Sequence, residues 1–107
     1  MEQVFNKLVR DNVPEIIRAK GEEAVTRILE GDEFKKELYK KLLEESNEVI
    51  TAEKVEDLLV ELADVLEVVQ AIAELNGKQL EDIMEIARQK KAKRGGFQKR
   101  VFLEKTY

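Results

Sequence analysis

The chain has 107 residues and a net charge of −4, and it contains neither cysteine nor histidine. Without those two residue types, thiolate chemistry, tetrahedral zinc sites and Ser-His-Asp catalysis are excluded. Charged residues make up 39% and aromatic residues 6% of the sequence, which favours long amphipathic helices over a β-sandwich. We therefore predict one domain, residues 1–107, in which any metal is held by oxygen ligands.

Membrane insertion and secretion are not expected. No apolar run approaches the roughly 20 residues of a membrane-spanning helix. The stretch Met1–Val4 has neither the basic start nor the apolar core of a secretion signal. We therefore expect a cytoplasmic protein with no membrane partner.

The first thirty residues predict one short helix and one extended segment. Pro14 suits a first helical turn and Gly21 a C-terminal stop, so the helix covers about Pro14–Lys20. The β-prone stretch Ala24–Leu29 is predicted to be extended. A similar stretch near the other end of the chain, Lys99–Glu104, is its candidate partner in a strand pair.

Two long helices joined by a short connection follow. The first opens with Asp32 as N-cap and runs to about Ile50. After the connection Thr51-Ala52, the second covers about Glu53–Asn76 and ends at Gly77. A connection this short predicts an antiparallel helical hairpin.

A last helix covers about Gln79–Lys93 and is stopped by Gly95-Gly96. On the second long helix the apolar arc from Val68 through Leu66 is wider than one hairpin partner can cover. The predicted fold is therefore all-α, with two hairpins forming a four-helix-bundle-type core when the chain assembles as a homodimer or homotetramer.

Acidic residues at helical spacing lie on both sides of the connection. They read Glu44-Glu45-x-x-Glu48 and then Glu61-x-x-Asp64. Residues three or four apart share a helix face, and counting outward from the turn places both groups at similar depth. Glu45 and Glu61 fall within apolar arcs, where an unpaired charge is costly, whereas Glu44 turns outward. The sequence therefore predicts a site at this cluster for a divalent cation held by oxygen ligands, with Mg²⁺, Mn²⁺ and Ca²⁺ as the candidates.

Basic residues at both ends of the chain are candidates for binding an anionic substrate. The guanidinium groups of Arg10 and Arg94 suit phosphate oxygens, and Lys7 and Lys93 supply point charges. For Lys93 and Arg94 the alternative is that cations near a helix C-terminus complement the helix dipole.

These patterns resemble the all-α nucleoside triphosphate pyrophosphatases, the MazG-like superfamily. The acidic motif is similar to the metal-binding motif of that superfamily. Two flanking stretches, Lys7–Ile17 and Arg94–Phe97, are similar to its phosphoribosyl-ATP-pyrophosphohydrolase-like branch. The resemblance covers about Lys7 to Leu103. It implies Mg²⁺-dependent hydrolysis between the α- and β-phosphates of a nucleotide, which releases a monophosphate and pyrophosphate.

The resemblance also implies roles for individual residues. The ligands of Mg²⁺, or alternatively of Mn²⁺, would be Glu45, Glu48, Glu61 and Asp64. The stretch Lys7–Asp11 is not a feature of the phosphoribosyl-ATP enzymes themselves, so a house-cleaning role on non-standard or surplus nucleotides is favoured. Without histidine, the general base is either a carboxylate or a hydroxide on the metal, and Glu45, the most enclosed acid, is the candidate. Asp11 would orient the residues that contact the substrate phosphates. Those residues would be Lys7, Arg10, Lys93 and Arg94.

Two other interpretations stay open at this point. In the first, the chain is a non-catalytic helical interaction module whose acids lie on its surface, and metal dependence of stability separates this interpretation from the enzyme. In the second, the basic stretch Arg88–Arg100 binds nucleic acid, which would require salt-sensitive affinity. The net negative charge of the chain disfavours nucleic acid as a partner.

Overall fold

The computed structural model describes residues 2–107, and these residues form four α-helices and no strand. The helices are α1 (Val13–Ala19), α2 (Gly31–Thr51), α3 (Val55–Leu75) and α4 (Leu80–Arg94). None of the helices in this range has both the length and the apolarity needed to cross a bilayer. The predicted all-α class is confirmed.

The helices begin and end within two residues of their predicted bounds, and the predicted capping signals lie where expected with one exception. Pro14 lies in the first turn of α1. Gly77 after α3 has φ 73° and Gly95 after α4 has φ 80°, positive values that glycine adopts without steric cost. The exception is the start of α2, where the N-cap is Glu30 rather than Asp32. Asp32 instead lies in the first turn, where its carboxylate interacts favourably with the helix dipole.

The helices α2 and α3 form the predicted hairpin. Only residues 52–54 separate them, so they pack side by side in opposite directions. The buried apolar residues of the described chain are Leu38 of α2 and Val68 and Ala73 of α3. Among the described elements, α4 packs against α3 alone. The hairpin is therefore the part of the fold that can hold a site rigidly.

The predicted pairing of two extended segments is wrong for the described residues. Residues 24–29 and 99–104 have no regular secondary structure. The side chains of Val25 and Ile28 in the first segment, and of Phe102 in the second, are exposed to solvent. A lone pair of strands is marginal in water, and neither segment has a sheet to join between residues 2 and 107.

One apolar stripe on α3 is left uncovered by the hairpin. Val55, Leu59, Leu62 and Leu66 follow alternating steps of four and three residues, which is the spacing of a coiled-coil seam, and all four are exposed. The radius of gyration is 18.1 Å, whereas a compact chain of this length has about 13 Å. A single copy therefore presents more surface than a compact domain does.

Candidate metal site

Three carboxylates from the hairpin helices meet between α2 and α3. Glu45 comes from α2, and Glu61 and Asp64 come from α3, where a spacing of three residues places them on one face. One carboxylate oxygen of each residue lies within 4.8 Å of the other two. The structure thus brings together three of the four acids that the sequence suggested as metal ligands.

Two oxygen atoms of this cluster are enclosed and unpartnered. Glu45 as a whole is only 7% exposed. Its Oε2 atom and the Oε2 atom of Glu61 are inaccessible to solvent and accept no hydrogen bond within residues 2–107. A buried carboxylate oxygen without a donor is costly. A bound cation would supply the interaction that these two oxygen atoms lack.

Glu48, the fourth predicted ligand, lies at the exposed edge of the cluster. The pKa of Glu61 is raised to about 7, first because its protonated form can share its proton with the neighbouring carboxylate of Glu48, and then by burial and by the negative charges of Glu48, Asp64 and Glu45. The pKa of Glu45 is also raised, first by burial and then by the charge of Glu48. The acids are thus close enough to share protons when no cation is present.

The raised pKa values predict an unusual pH dependence of stability. Because the pKa of Glu61 rises from 4.5 in the absence of the fold to about 7 within it, its contribution to stability is complete below about pH 4.5. That contribution is lost as the pH rises through about 7. In EDTA, we therefore expect the free energy of unfolding, measured by urea titration, to be lower at pH 8 than at pH 5.

Two controls define this pH experiment. Glu61→Gln removes the titrating group and should flatten the profile, whereas Glu56→Gln, at the exposed start of α3, should leave it unchanged. Mg²⁺ should stabilise the protein more at pH 8 than at pH 5, because metal ligands must be deprotonated. Equal stability of the EDTA form at both pH values would contradict the shared-proton description of the cluster.

Three cations lie against the acids. Arg10 Nη2 donates to Asp64 Oδ1 at 2.6 Å, and Lys7 Nζ donates to Glu44 Oε1 at 3.1 Å. Lys41 Nζ lies 2.9 Å from Glu44 Oε2 and 3.6 Å from Glu45 Oε1. Glu44, which the helical pattern places outside the apolar face, is therefore paired with two lysines. Its hydrogen bond with Lys41 is the largest cause that lowers its pKa, and the hydrogen bond with Lys7 acts in the same direction, whereas burial opposes both.

The N-terminal segment thus reaches the cluster, but the C-terminal basic residues do not. Lys7 and Arg10, which the sequence suggested as phosphate contacts, touch acids of the hairpin. Asp11 is exposed in the turn before α1. Lys93 and Arg94 lie in the exposed last turn of α4. In the described part of the chain, no side-chain hydrogen bond or ion pair joins these two residues to the acids.

Lys41 is the residue at the site that the sequence analysis missed. It precedes Glu44 by three positions and Glu45 by four, a spacing at which helical ion pairs form. That signal was available in the sequence. It is weak, because Lys and Glu occur at this spacing on many exposed helix faces.

Searches of the chain against protein-family models, curated protein sequences and solved structures return no match. The resemblance to the MazG-like superfamily therefore stays a prediction from the motifs in the sequence.

Proposed function

We propose that the protein is a Mg²⁺-dependent nucleotide pyrophosphohydrolase. It would cleave the α–β phosphoanhydride of a nucleoside triphosphate, or of a related nucleotide, to a monophosphate and pyrophosphate. Two observations together carry the proposal: the carboxylates of Glu45, Glu61 and Asp64 converge, and Glu45 and Glu61 each have an enclosed Oε2 atom without a hydrogen-bond donor. A cytoplasmic location and a house-cleaning role belong to the same proposal, and the house-cleaning role rests on the sequence resemblance alone.

Repulsion between the ionised carboxylates of the cluster is the physical reason to expect a bound cation. Two like charges about 4 Å apart repel by roughly 4 kcal/mol at an effective dielectric constant near 20. The whole stability of such a domain is about 5–15 kcal/mol. Since several close carboxylates would consume much of that stability when ionised, the fold favours either protons or a divalent cation at the cluster.

The donor set fits a hard cation. Carboxylate oxygens alone suit Mg²⁺, with Mn²⁺ as the alternative. Glu45, Glu61 and Asp64 would hold the ion, with Glu48 at the open edge of the cluster. When bound, such an ion supplies Lewis acidity toward phosphate oxygens and makes water more acidic.

The side chains around the cluster would supply the remaining steps. Glu45 is the proposed general base, because no histidine is present and Glu45 is the most enclosed carboxylate of the cluster. Lys7 and Arg10 would bind phosphate oxygens, for which Arg10 would leave Asp64. Lys93 and Arg94 have no contact with the acids in the described chain, so the proposal gives them no step.

Pyrophosphate release from a panel of canonical and modified nucleoside triphosphates tests this function. Each nucleotide is incubated with the protein in Mg²⁺, in Mn²⁺ and in EDTA. We expect equal amounts of monophosphate and pyrophosphate from at least one nucleotide, and no release in EDTA. Release of inorganic phosphate instead would indicate cleavage at a different bond, and no release from any nucleotide would contradict the proposal.

The second candidate function is a non-catalytic helical interaction module, and the uncovered stripe on α3 is the observation that favours it. Such a module would not need the acids to bind metal. Its stability should therefore be the same in Mg²⁺ and in EDTA. The enzyme proposal requires the opposite, because a ligand that binds only the folded form stabilises that form.

We also propose that two copies pair through the stripe on α3. The accessible surface of the chain is 10018 Å², whereas a compact monomer of 12.4 kDa would expose about 6,100 Å². Obligate homodimers bury about 2,000–5,000 Å² in total, so the excess is ample for such an interface. A pair of hairpins would form the predicted four-helix bundle.

A charge placed in the stripe should separate the copies. Leu62 and Leu66 are 46% and 50% exposed, and we expect Leu62→Glu to shift the protein from dimer to monomer in light scattering coupled to gel filtration. Val60 on the same helix is 58% exposed but lies about 160° around the helix from Leu62. Val60→Glu should therefore leave the dimer intact. A monomeric wild-type protein, or a dimer in Leu62→Glu, would contradict this pairing.

A further inference from the structure

A second feature adjoins the acid cluster on the side of the N-terminal segment. A cavity of about 210 Å³ lies between residues 6–8 and the middle of α2, residues 37–44. Its charged lining consists of three lysines, Lys7, Lys40 and Lys41, and two acids, Glu37 and Glu44. We refer to this space as the lysine cavity. Lys41 also contacts Glu45, so the cavity and the acid cluster share a wall.

The lysines of this cavity retain the capacity to bind an anion. Lys40 Nζ lies 3.1 Å from Glu37 Oε2, and Lys7 and Lys41 both contact Glu44. Three ammonium groups thus face two carboxylates, which leaves the lining with a net positive charge. Lys41 contacts a second carboxylate as well, whereas Lys7 and Lys40 each contact one carboxylate. Because an ammonium group has three N–H donors, Lys7 and Lys40 in particular keep donors for an anion. Lys41 is only 18% exposed in its side chain, which strengthens its interaction with any charge that enters.

The size of the lysine cavity restricts what it can hold. Pockets that enclose a drug-sized ligand span about 300–1,000 Å³, so 210 Å³ is too small for a complete nucleotide. A phosphate chain is compact and anionic and matches the lysine donors. The nucleoside would have to lie outside the cavity.

We propose that the lysine cavity is an anion subsite that holds the terminal two phosphates of the substrate, and then the pyrophosphate product. The inference rests on the proposed hydrolase, since it places the scissile phosphate at the acid cluster and the leaving group beyond Lys41. The substrate then runs from the acids toward residues 37–44 of α2. The subsite gives Lys40 and Lys41 a role in binding the leaving group.

Binding of inorganic pyrophosphate tests the subsite without any turnover. The probe is titrated calorimetrically into the protein with saturating Mg²⁺, using wild type, Lys40→Gln and Lys36→Gln. Lys40 is the informative position, because its ion pair is with Glu37 and not with the metal cluster. Lys36 is an exposed lysine on the same helix that does not line the cavity. We expect Lys40→Gln to weaken pyrophosphate binding at least about tenfold and Lys36→Gln by less than about twofold.

The outcomes separate this inference from the proposed activity. Lys40→Gln should bind Mn²⁺ with the same affinity as wild type. That result would show that the weaker pyrophosphate binding comes from lost contact with the anion and not from lost metal binding. If wild type binds no pyrophosphate, or if Lys36→Gln weakens it as much as Lys40→Gln does, the subsite is wrong even when nucleotides are hydrolysed. If binding depends on Lys40 but no nucleotide is hydrolysed, the subsite stands and the hydrolase is wrong.

Discussion

Glu61→Gln is expected to reduce the rate of pyrophosphate release by more than about 100-fold while leaving the helical fold intact. Loss of a residue that only supports a metal ligand typically costs about 10–100-fold, and Glu61 is proposed to be a ligand itself. Its Oε2 atom is enclosed and without a hydrogen-bond donor in the described chain, so an amide at this position offers the cation a neutral and weaker donor. The rate is measured as pyrophosphate formed per protein at saturating Mg²⁺.

Glu48→Gln should also reduce the rate of pyrophosphate release, because Glu48 adjoins Glu61 at the edge of the cluster. Glu56→Gln is the matched control, since it removes one carboxylate from an exposed position of the same helix, α3. Circular dichroism should show unchanged helix content in all three variants. Full activity of Glu61→Gln at saturating Mg²⁺ would contradict the assignment of the metal site.

Glu45→Met should make the metal-free protein more stable and inactive at the same time. Glu45 is 7% exposed and lies among other acids, so at pH 8 its ionised carboxylate is both buried and repelled. Replacing a buried ion pair or triad with well-packed apolar side chains is often neutral or stabilises a protein by up to about 4 kcal/mol. In Glu45→Met the neighbouring Lys41 keeps its shorter ion pair with Glu44, so the substitution leaves no unpaired buried cation. In EDTA we expect a gain of at least about 1 kcal/mol, which corresponds to a rise in Tm of at least about 4 °C.

The neighbouring position provides the control for this stability measurement. Glu44→Met removes an acid that is paired with Lys7 and Lys41, so it should leave the metal-free stability unchanged or lower it. Mg²⁺ should raise the Tm of wild type and of Glu44→Met, but not that of Glu45→Met. A destabilised Glu45→Met protein would show that Glu45 is not under electrostatic strain.

The helices and the acid cluster could be predicted because both depend on local periodicity. The acids of Glu44–Glu48 and Glu61–Asp64 each share a helix face by spacing alone. The short connection after Thr51 then limits how far the two helices can shift relative to each other. Those two constraints are sufficient to bring Glu45, Glu61 and Asp64 together.

Contacts that depend on long-range placement could not be predicted in the same way. The 2.6 Å contact of Arg10 with Asp64 joins residues 54 positions apart, and no periodic pattern relates them. Residues 24–29 have β-prone composition, but composition does not say whether a partner strand exists. At the start of α2 the predicted N-cap was Asp32, whereas the structure has Glu30 in that position; a helix boundary predicted from sequence is uncertain by one or two residues.

Binding of Mn²⁺ followed by electron paramagnetic resonance is the most direct test of the central claim, that the hairpin acids hold a divalent cation. The signal of free Mn²⁺ decreases when the ion binds to protein, so the titration reports occupancy without any substrate. We predict saturable binding to wild type, displacement by Mg²⁺, and little binding to Glu61→Gln, with Glu56→Gln behaving as wild type. Equal binding by wild type and Glu61→Gln, or no binding by either, would contradict the account.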